Sequence, residues 1–150
     1  MTVSRSKEFR EITRLLERNL ECMNSADCCL CNISTAQCHT IVEIGKKKDS
    51  MLKDLAAILR IDVSTASKIV EELVKKGLVK REPSSSDRRS VQINLSDDGQ
   101  LIFAQIESDM DIIFDEVLGF IEPTKQDAFL YSISLYNQAI EKWKETKQHE

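Results

Sequence analysis

Apolar residues recur along much of this chain at intervals of three and four, the spacing of amphipathic helices. The first such stretch runs from Ser4 to about Met23. Its apolar positions, set among charged residues, are Phe9, Ile12, Leu15, Leu16 and Leu20. The stretch from Asn24 to Asn32 is short, polar and rich in cysteine, which is typical of a loop. Ser34 and Gln37 have the spacing of a capping box, so a second helix is predicted to begin there and to end at Gly45.

Two shorter helices are predicted next. One covers residues 52–59, and the other starts near Val63 and is ended by Gly77, in the position expected of a C-cap glycine. Residues 78–82 and 91–95 are predicted to be strands joined by a turn at residues 83–87. Ser96 then caps a long helix, and Pro123 begins a last one. The predicted fold is mainly α, with four helices, a small β-hairpin and two further helices.

Length and composition limit the class of protein. A chain of 150 residues can bury one good core, so a single domain over residues 1–150 is expected. Only 4 Gly and 2 Pro argue against a many-turned β fold. No apolar run approaches the roughly 20 residues that span a bilayer, and the charged start lacks a signal-peptide core, so a cytoplasmic protein without a membrane partner is expected. Thiols stay reduced there, which favours metal binding or redox sensing by clustered cysteines over disulfides.

The charge is unevenly distributed. Residues 46–90 carry twelve Lys and Arg against seven Asp and Glu, whereas the rest of the chain carries nine against eighteen. A basic block within an acidic protein is the electrostatic pattern of a nucleic-acid-binding region. An ordinary solvated surface is the alternative, which charge alone does not exclude.

The two short helices have the pattern of a helix-turn-helix. A recognition helix must be polar on the face that enters the major groove and apolar on the opposite face. Near the start of the second helix, the candidates for DNA contact are Ser64, Thr65, Ser67 and Lys68. Its buried stripe is predicted to be Ala66, Ile69, Val70 and Leu73. The hairpin would supply a wing whose Arg88 and Arg89 suit the minor groove. The alternative is a helix unit that serves packing alone.

The sequence of residues 51–100 resembles the winged helix-turn-helix of MarR-type transcriptional regulators. The resemblance includes K-K-G-L-V after the recognition helix, D-R-R in the wing and L-S-D-D-G at the end of the second strand. It implies that Arg89 enters the minor groove and that Asp87 helps to hold it. It also implies a homodimer joined through residues 4–23, 97–120 and 123–146. Residues 46–96 would then be the DNA-binding lobe, and residues 1–45 and 97–150 the dimerisation helices and sensor loop.

All five cysteines lie in the first quarter of the chain. They are Cys22, Cys28, Cys29, Cys31 and Cys38, and His39 follows the last. The spacing lacks the paired C-x2-C of a zinc ribbon. Three thiolates for arsenic(III) or another soft metal would come from Cys31, Cys38 and either Cys28 or Cys29. A fourth sulfur or a histidine would suit zinc. Cys22 and His39 are further candidates for this metal site. The alternative for Cys22 and Cys38 is burial as small hydrophobic residues.

Three functions are compatible with these features. The first is a dimeric repressor of transcription that binds double-stranded operator DNA without any cofactor. In this hypothesis, metal binding or oxidation at Cys28, Cys29, Cys31 and Cys38 changes the spacing of the DNA-reading lobes and releases the operator. Arsenite or another soft metal or metalloid ranks first as effector, oxidants second and zinc third. The second is a regulator of the same type that responds to a phenolic or aromatic molecule, with incidental cysteines. The third is a thiol enzyme or metal carrier, against which no catalytic motif is found, so an enzyme is not expected.

Overall fold

The computed structural model of the chain describes residues 4–27 and 32–148. Its elements are α1 Arg5–Asp27, α2 Thr35–Lys46, α3 Leu52–Leu59, α4 Val63–Lys75, β1 Val79–Pro83, β2 Val91–Leu95, α5 Asp97–Gly119 and α6 Pro123–Gln148. The predicted order of four helices, a hairpin and two helices is confirmed. The predicted loop is wrong for residues 24–27, which continue α1. This stretch contains no Pro or Gly, so its polar residues alone do not end the helix.

The start of α2 is set by the predicted capping box. The Ser34 hydroxyl accepts a hydrogen bond from the Gln37 backbone N–H at 3.2 Å, and the Gln37 side-chain oxygen accepts one from the Ser34 N–H at 3.3 Å. The predicted end at Gly45 is wrong, because α2 continues to Lys46. Gly45 serves packing instead: a Cβ there would lie 2.6 Å from the Phe103 ring of α5. The glycine allows the two helices to approach closely.

Helix α4 ends just before Gly77, as the position of this glycine predicts. Gly77 has φ 74°, a left-handed conformation that side chains disfavour. The Leu78 N–H donates to the Leu73 carbonyl and the Gly77 N–H to the Val74 carbonyl, both at 3.0 Å. This pair of hydrogen bonds is a Schellman motif, which satisfies the last carbonyls of the helix and turns the chain into β1.

The hairpin is antiparallel, with Val79 opposite Leu95 and Pro83 opposite Val91. The segment before α3 extends it, because Ser50 exchanges backbone hydrogen bonds with Ile93 at 3.2 and 2.8 Å. Beside this bridge, the Asp49 N–H donates to the Asn94 side-chain oxygen at 2.8 Å, and the Asn94 amide donates to the Asp49 carboxylate at 3.1 Å. The connector between α2 and α3 is therefore fixed to the second strand of the hairpin.

One hydrophobic core joins α2, α3, α4, the hairpin and the first half of α5. Its buried members are Ile41, Ile44, Leu55, Val70, Leu73, Val79, Ile93, Leu95 and Ile106. The predicted apolar stripe of α4 is confirmed for Ala66, Val70 and Leu73, which are buried. Because α4 and both strands share this core, the helix and the hairpin are held as one packed unit.

The chain divides into two compact units, Met1–Met110 and Asp111–Glu150. In the second unit, the Gln126 side chain donates to the carbonyls of Leu118 and Ile121, both at 3.1 Å, and closes the turn between α5 and α6. Within the described ranges, none of the helices is long and apolar enough to cross a membrane.

Candidate nucleic-acid interface

The start of α4 is built around Asp62, which precedes the helix as its N-cap. Its carboxylate accepts the Ser64 hydroxyl at 2.6 Å, the Thr65 backbone N–H at 2.7 Å and the Thr65 hydroxyl at 3.0 Å. These hydrogen bonds, led by that from Ser64, lower the pKa of Asp62 from 3.8 to about 2. The carboxylate is thus charged at neutral pH and orders the first turn of α4.

Asp62 was missed by the sequence analysis, although an Asp three residues before a Thr at a helix start is a recognisable N-cap signal. Its presence changes what Ser64 and Thr65 can do. Both hydroxyl protons are donated to Asp62, so these two side chains offer acceptor oxygens, and Thr65 also a methyl group, to a ligand.

The polar face of α4 continues from this first turn. Ser64, Thr65 and Lys68 are exposed and Ser67 is half-buried, whereas Ala66 and Val70 are buried on the opposite face. The helix therefore presents the polar and apolar faces that a recognition helix requires. The assignment of the four polar residues to DNA contacts stays a prediction.

The wing turn is braced by Asp87. Its carboxylate accepts the backbone N–H of Arg89 at 2.9 Å, and its carbonyl accepts the Ser90 N–H at 3.0 Å. The Arg88 and Arg89 side chains are exposed. Asp87 thus fixes the backbone from which Arg89 projects, which is one physical way for the carboxylate to hold the arginine in place.

Ser84 is a second residue that the sequence analysis missed. It is buried, its N–H donates to the Ser90 carbonyl at 2.8 Å, and its hydroxyl accepts the Ser86 N–H and the Gln92 side-chain amide, both at 3.3 Å. No local signal separates Ser84 from the other two serines of the turn, because two of its partners, Ser90 and Gln92, lie across the hairpin. It closes the wing turn from inside.

The cysteine cluster is only partly within the described residues. Cys22 is exposed on α1, and Cys38 is half-buried in the first turns of α2, where it packs against the core. His39 is exposed. Cys28, Cys29 and Cys31 lie outside the described residues. Among those that are described, no group of three or more His, Cys, Asp or Glu residues could hold a metal ion. The predicted metal site stays a prediction.

The family model described as MarR family matches residues 29–91. Among curated proteins, the chain is 24% identical over 110 residues to the uncharacterized HTH-type transcriptional regulator YfiV of Bacillus subtilis, covering 73% of this chain and 69% of that protein. It is 29% identical over 90 residues to the HTH-type transcriptional regulator BilQ of Clostridium symbiosum, covering 60% and 62%. It is 32% identical over 76 residues to the multiple antibiotic resistance protein MarR of Salmonella typhimurium, covering 51% and 45%. The matched stretches thus span between 45% and 69% of these relatives.

Solved structures match over more of the chain. Streptococcus pneumoniae FabT in complex with DNA gives a TM-score of 0.82 at 20% identity, covering 92% of this chain and 99% of that one. A MarR family protein from Bacillus stearothermophilus gives 0.82 at 18% identity, covering 93% and 99%. The helix-turn-helix and its braced hairpin together form a winged helix-turn-helix, the fold that the chain shares with these solved structures. Residues 29–91, which contain the helix-turn-helix and the first strand of the hairpin, match the MarR family, and a solved MarR family protein shares the fold of the chain.

Proposed function

We propose that this chain is a homodimeric repressor that reads operator DNA with α4 and the hairpin, and whose DNA affinity is controlled through the cysteines of residues 28–38. The observation that carries the DNA-binding part is the pairing of an ordered, polar start of α4 with a braced hairpin bearing Arg88 and Arg89. Both elements pack on one core, so their separation is fixed before DNA arrives. Preorganised reading elements lose little freedom on binding.

The roles of the contact residues follow from their surroundings. Ser67 and Lys68 would read the major groove as donors, and Ser64 and Thr65 would accept hydrogen bonds from base amino groups or contact thymine methyl groups. Arg88 and Arg89 would lie in or beside the minor groove, whose negative potential attracts guanidinium groups. Residues 46–96, with their basic excess, would form the DNA-binding lobe.

Exposed apolar side chains support the homodimer. They are Phe9, Ile12 and Leu15 on α1, Ile112, Phe114 and Val117 on α5, and Phe129, Leu130 and Trp143 on α6. Apolar surface of this extent marks interaction sites in soluble proteins. A dimer joined through residues 4–23, 97–120 and 123–146 would present two recognition helices to half-sites spaced about 34–36 Å apart, one turn of DNA. The remaining residues 1–45 and 97–150 would carry the dimer contacts and the sensor segment.

The sensor part of the proposal uses the chemistry of clustered thiols. Three of Cys28, Cys29, Cys31 and Cys38 would bind arsenic(III) by displacing the three hydroxyls of arsenous acid, with the three thiol protons leaving in three molecules of water. A peroxide would instead join two of these sulfurs in a disulfide and be reduced to water. Cys38 lies in the first turns of α2, where the helix dipole favours the thiolate.

Fluorescence anisotropy of the reduced protein on DNA from upstream of its own gene tests both parts. We expect tight binding that is lost on titration with arsenite. The variant in which Cys28, Cys29, Cys31 and Cys38 are all serine should bind this DNA equally well and keep it in arsenite. Cys22→Ser is the matched control and should respond like the wild type. Release of DNA from the four-serine variant by arsenite would refute sensing by these thiols, and absence of DNA binding would refute the operator proposal.

A further inference from the structure

Gln37 is a buried polar residue whose side chain links two helices. It is 6% exposed, and its amide N–H donates to the Glu72 carboxylate at 2.7 Å. Its side-chain oxygen accepts the Lys76 ammonium at 2.8 Å and the Ser34 N–H at 3.3 Å. Glu72 lies on α4, and Lys76 is the C-cap of that helix. A single amide in the first turn of α2 therefore contacts two charged side chains, those of Glu72 and Lys76, at the C-terminal end of the recognition helix.

Lys76 extends this network toward the cysteines. Its ammonium also donates to the backbone carbonyl of Asn32, the first described residue after the cysteine-containing residues 28–31. Asn32 has φ 69°, a left-handed conformation that Asn adopts more readily than most residues. Asn32 is thus hydrogen-bonded to the C-cap residue of α4, and the chain also continues from Asn32 into α2.

The network differs in kind from the apolar packing around it. Ile33 and Cys38 also pack against the core at this end of α2, but apolar contacts are non-directional. The hydrogen bonds that Lys76 donates and the one that Glu72 accepts each involve a charged group. They are therefore directional and stronger than hydrogen bonds between neutral groups. Buried Gln37 has little access to water, so a displaced Lys76 or Glu72 leaves the amide without a full replacement. Movement at Asn32 is therefore opposed by, and transmitted to, the end of α4.

We propose that Gln37, Glu72 and Lys76 form a positioning group that couples Asn32 and the start of α2 to the recognition helix. A shift of Asn32 draws Lys76 with its carbonyl, and the packed unit of α4 and the hairpin moves together, so that the elements that read DNA are displaced. The trigger in this scheme rests on the cysteine sensing proposed above, whereas the coupling rests on the contacts themselves. Coupling is reciprocal, so DNA bound to α4 must also stabilise the start of α2.

Lys76→Met with Lys75→Met as its control isolates this group. Both lysines are exposed, and each replacement removes one positive charge at neighbouring positions while keeping an apolar stem. Lys75 pairs with Glu71 at 3.2 Å on the solvent side, outside the network. Glu72→Gln with Glu71→Gln is the corresponding acidic pair. Because Lys76 is exposed, its replacement leaves the core of the folded protein intact.

Hydrogen exchange of the backbone amides of residues 34–38 is the first readout, on the full chain with and without upstream DNA. In the wild type and Lys75→Met, DNA should slow this exchange about fivefold or more, a typical size for coupling between sites. In Lys76→Met the slowing should be lost. Equal slowing in the two lysine variants overturns the coupling.

The second readout is the change in DNA affinity on addition of arsenite. Where the wild type and Lys75→Met lose DNA in arsenite, Lys76→Met should keep most of its affinity. An equal loss in both lysine variants overturns the coupling even if sensing is real. If arsenite leaves wild-type binding unchanged while only Lys76→Met loses the DNA-dependent slowing of exchange, cysteine sensing fails and the coupling stands.

Discussion

The carboxylate of Asp87 and the backbone N–H of Arg89 are joined by a 2.9 Å hydrogen bond across the wing turn. The carboxylate thus fixes the backbone conformation of the turn, and the guanidinium of Arg89 projects from this fixed backbone. A brace of this kind needs an acceptor oxygen at position 87, and asparagine has one. It does not need a negative charge, which DNA phosphates would in fact repel.

Asp87→Asn should therefore bind operator DNA as tightly as the wild type or tighter, whereas Asp87→Ala should bind more weakly by about 0.5–1.5 kcal/mol, the usual net value of one hydrogen bond. Fluorescence anisotropy at one fixed salt concentration compares the three proteins. Equal weakening by both replacements would mean that the charge of Asp87 matters and that the brace does not.

Arg89→Ala should weaken operator binding by about 1–3 kcal/mol. It should also make the slope of log affinity against log salt concentration less steep by about 1, because one positive charge at the DNA is lost. Lys125→Ala is a control for loss of positive charge, since Lys125 is exposed near the start of α6, outside the basic residues 46–90, and pairs with Glu122 at 2.7 Å. Full-strength binding by Arg89→Ala, or an equal loss in Lys125→Ala, would remove the wing from the interface.

Asp62 should make folding stability depend on pH. Its pKa is lowered from 3.8 to about 2 by the hydrogen bonds of the N-cap, so its contribution is complete above the unfolded value and is lost as the pH falls through 3.8 toward 2. Asp62→Asn keeps a capping oxygen without a titrating group. We expect the melting temperature of the wild type, relative to Asp62→Asn, to fall between pH 6 and pH 3. A difference that does not change with pH would contradict the assigned cap.

Two glycines of α5 provide a matched test of the packing beside the wing. A Cβ at Gly99 would lie 1.9 Å from the Leu78 carbonyl oxygen, whereas one at Gly119 would meet nothing within 4 Å. Gly99→Ala should lower the free energy of unfolding by about 1–3 kcal/mol through overpacking. Gly119→Ala should leave it unchanged or raise it by about 0.5–1 kcal/mol. Urea unfolding followed by circular dichroism measures both, and a tolerated Gly99→Ala would show that α5 can move away from Leu78.

The features that the sequence predicts best are those decided within a few residues. The capping box of Ser34 and Gln37 and the left-handed Gly77 are local, and both are present as expected. Gly45 shows where local reading fails, because its neighbour is Phe103 of α5 and not the end of its own helix. The continuation of α1 through residues 24–27 fails for a related reason: weak helix formers follow an established helix when no breaker intervenes.

The candidate site divides in the same way. Ser64, Thr65 and Lys68 could be placed on an exposed face from helical periodicity alone. The partners of Gln37 could not, since Glu72 and Lys76 become its neighbours only when α2 packs against α4. Gln37, at the N3 position of α2, is already explained by its role in the capping box. Nothing in the local sequence therefore indicates that it also contacts another helix.

The hydrogen bonds that join Asp49 to Asn94 and Ser50 to Ile93 have a consequence for protein engineering. Exchanging operator specificity between relatives by grafting the helix-turn-helix and hairpin alone would cut through these bonds. The transplanted cassette has to begin at Asp49, before α3, and has to extend through Gly99, whose missing side chain accommodates Leu78. A graft with these limits keeps the bridge between Ser50 and Ile93 and the close approach of Gly99 to Leu78, but its core is completed by Ile41 and Ile44 of α2 and Ile106 of α5, so the host helices have to present equivalent apolar side chains at these positions.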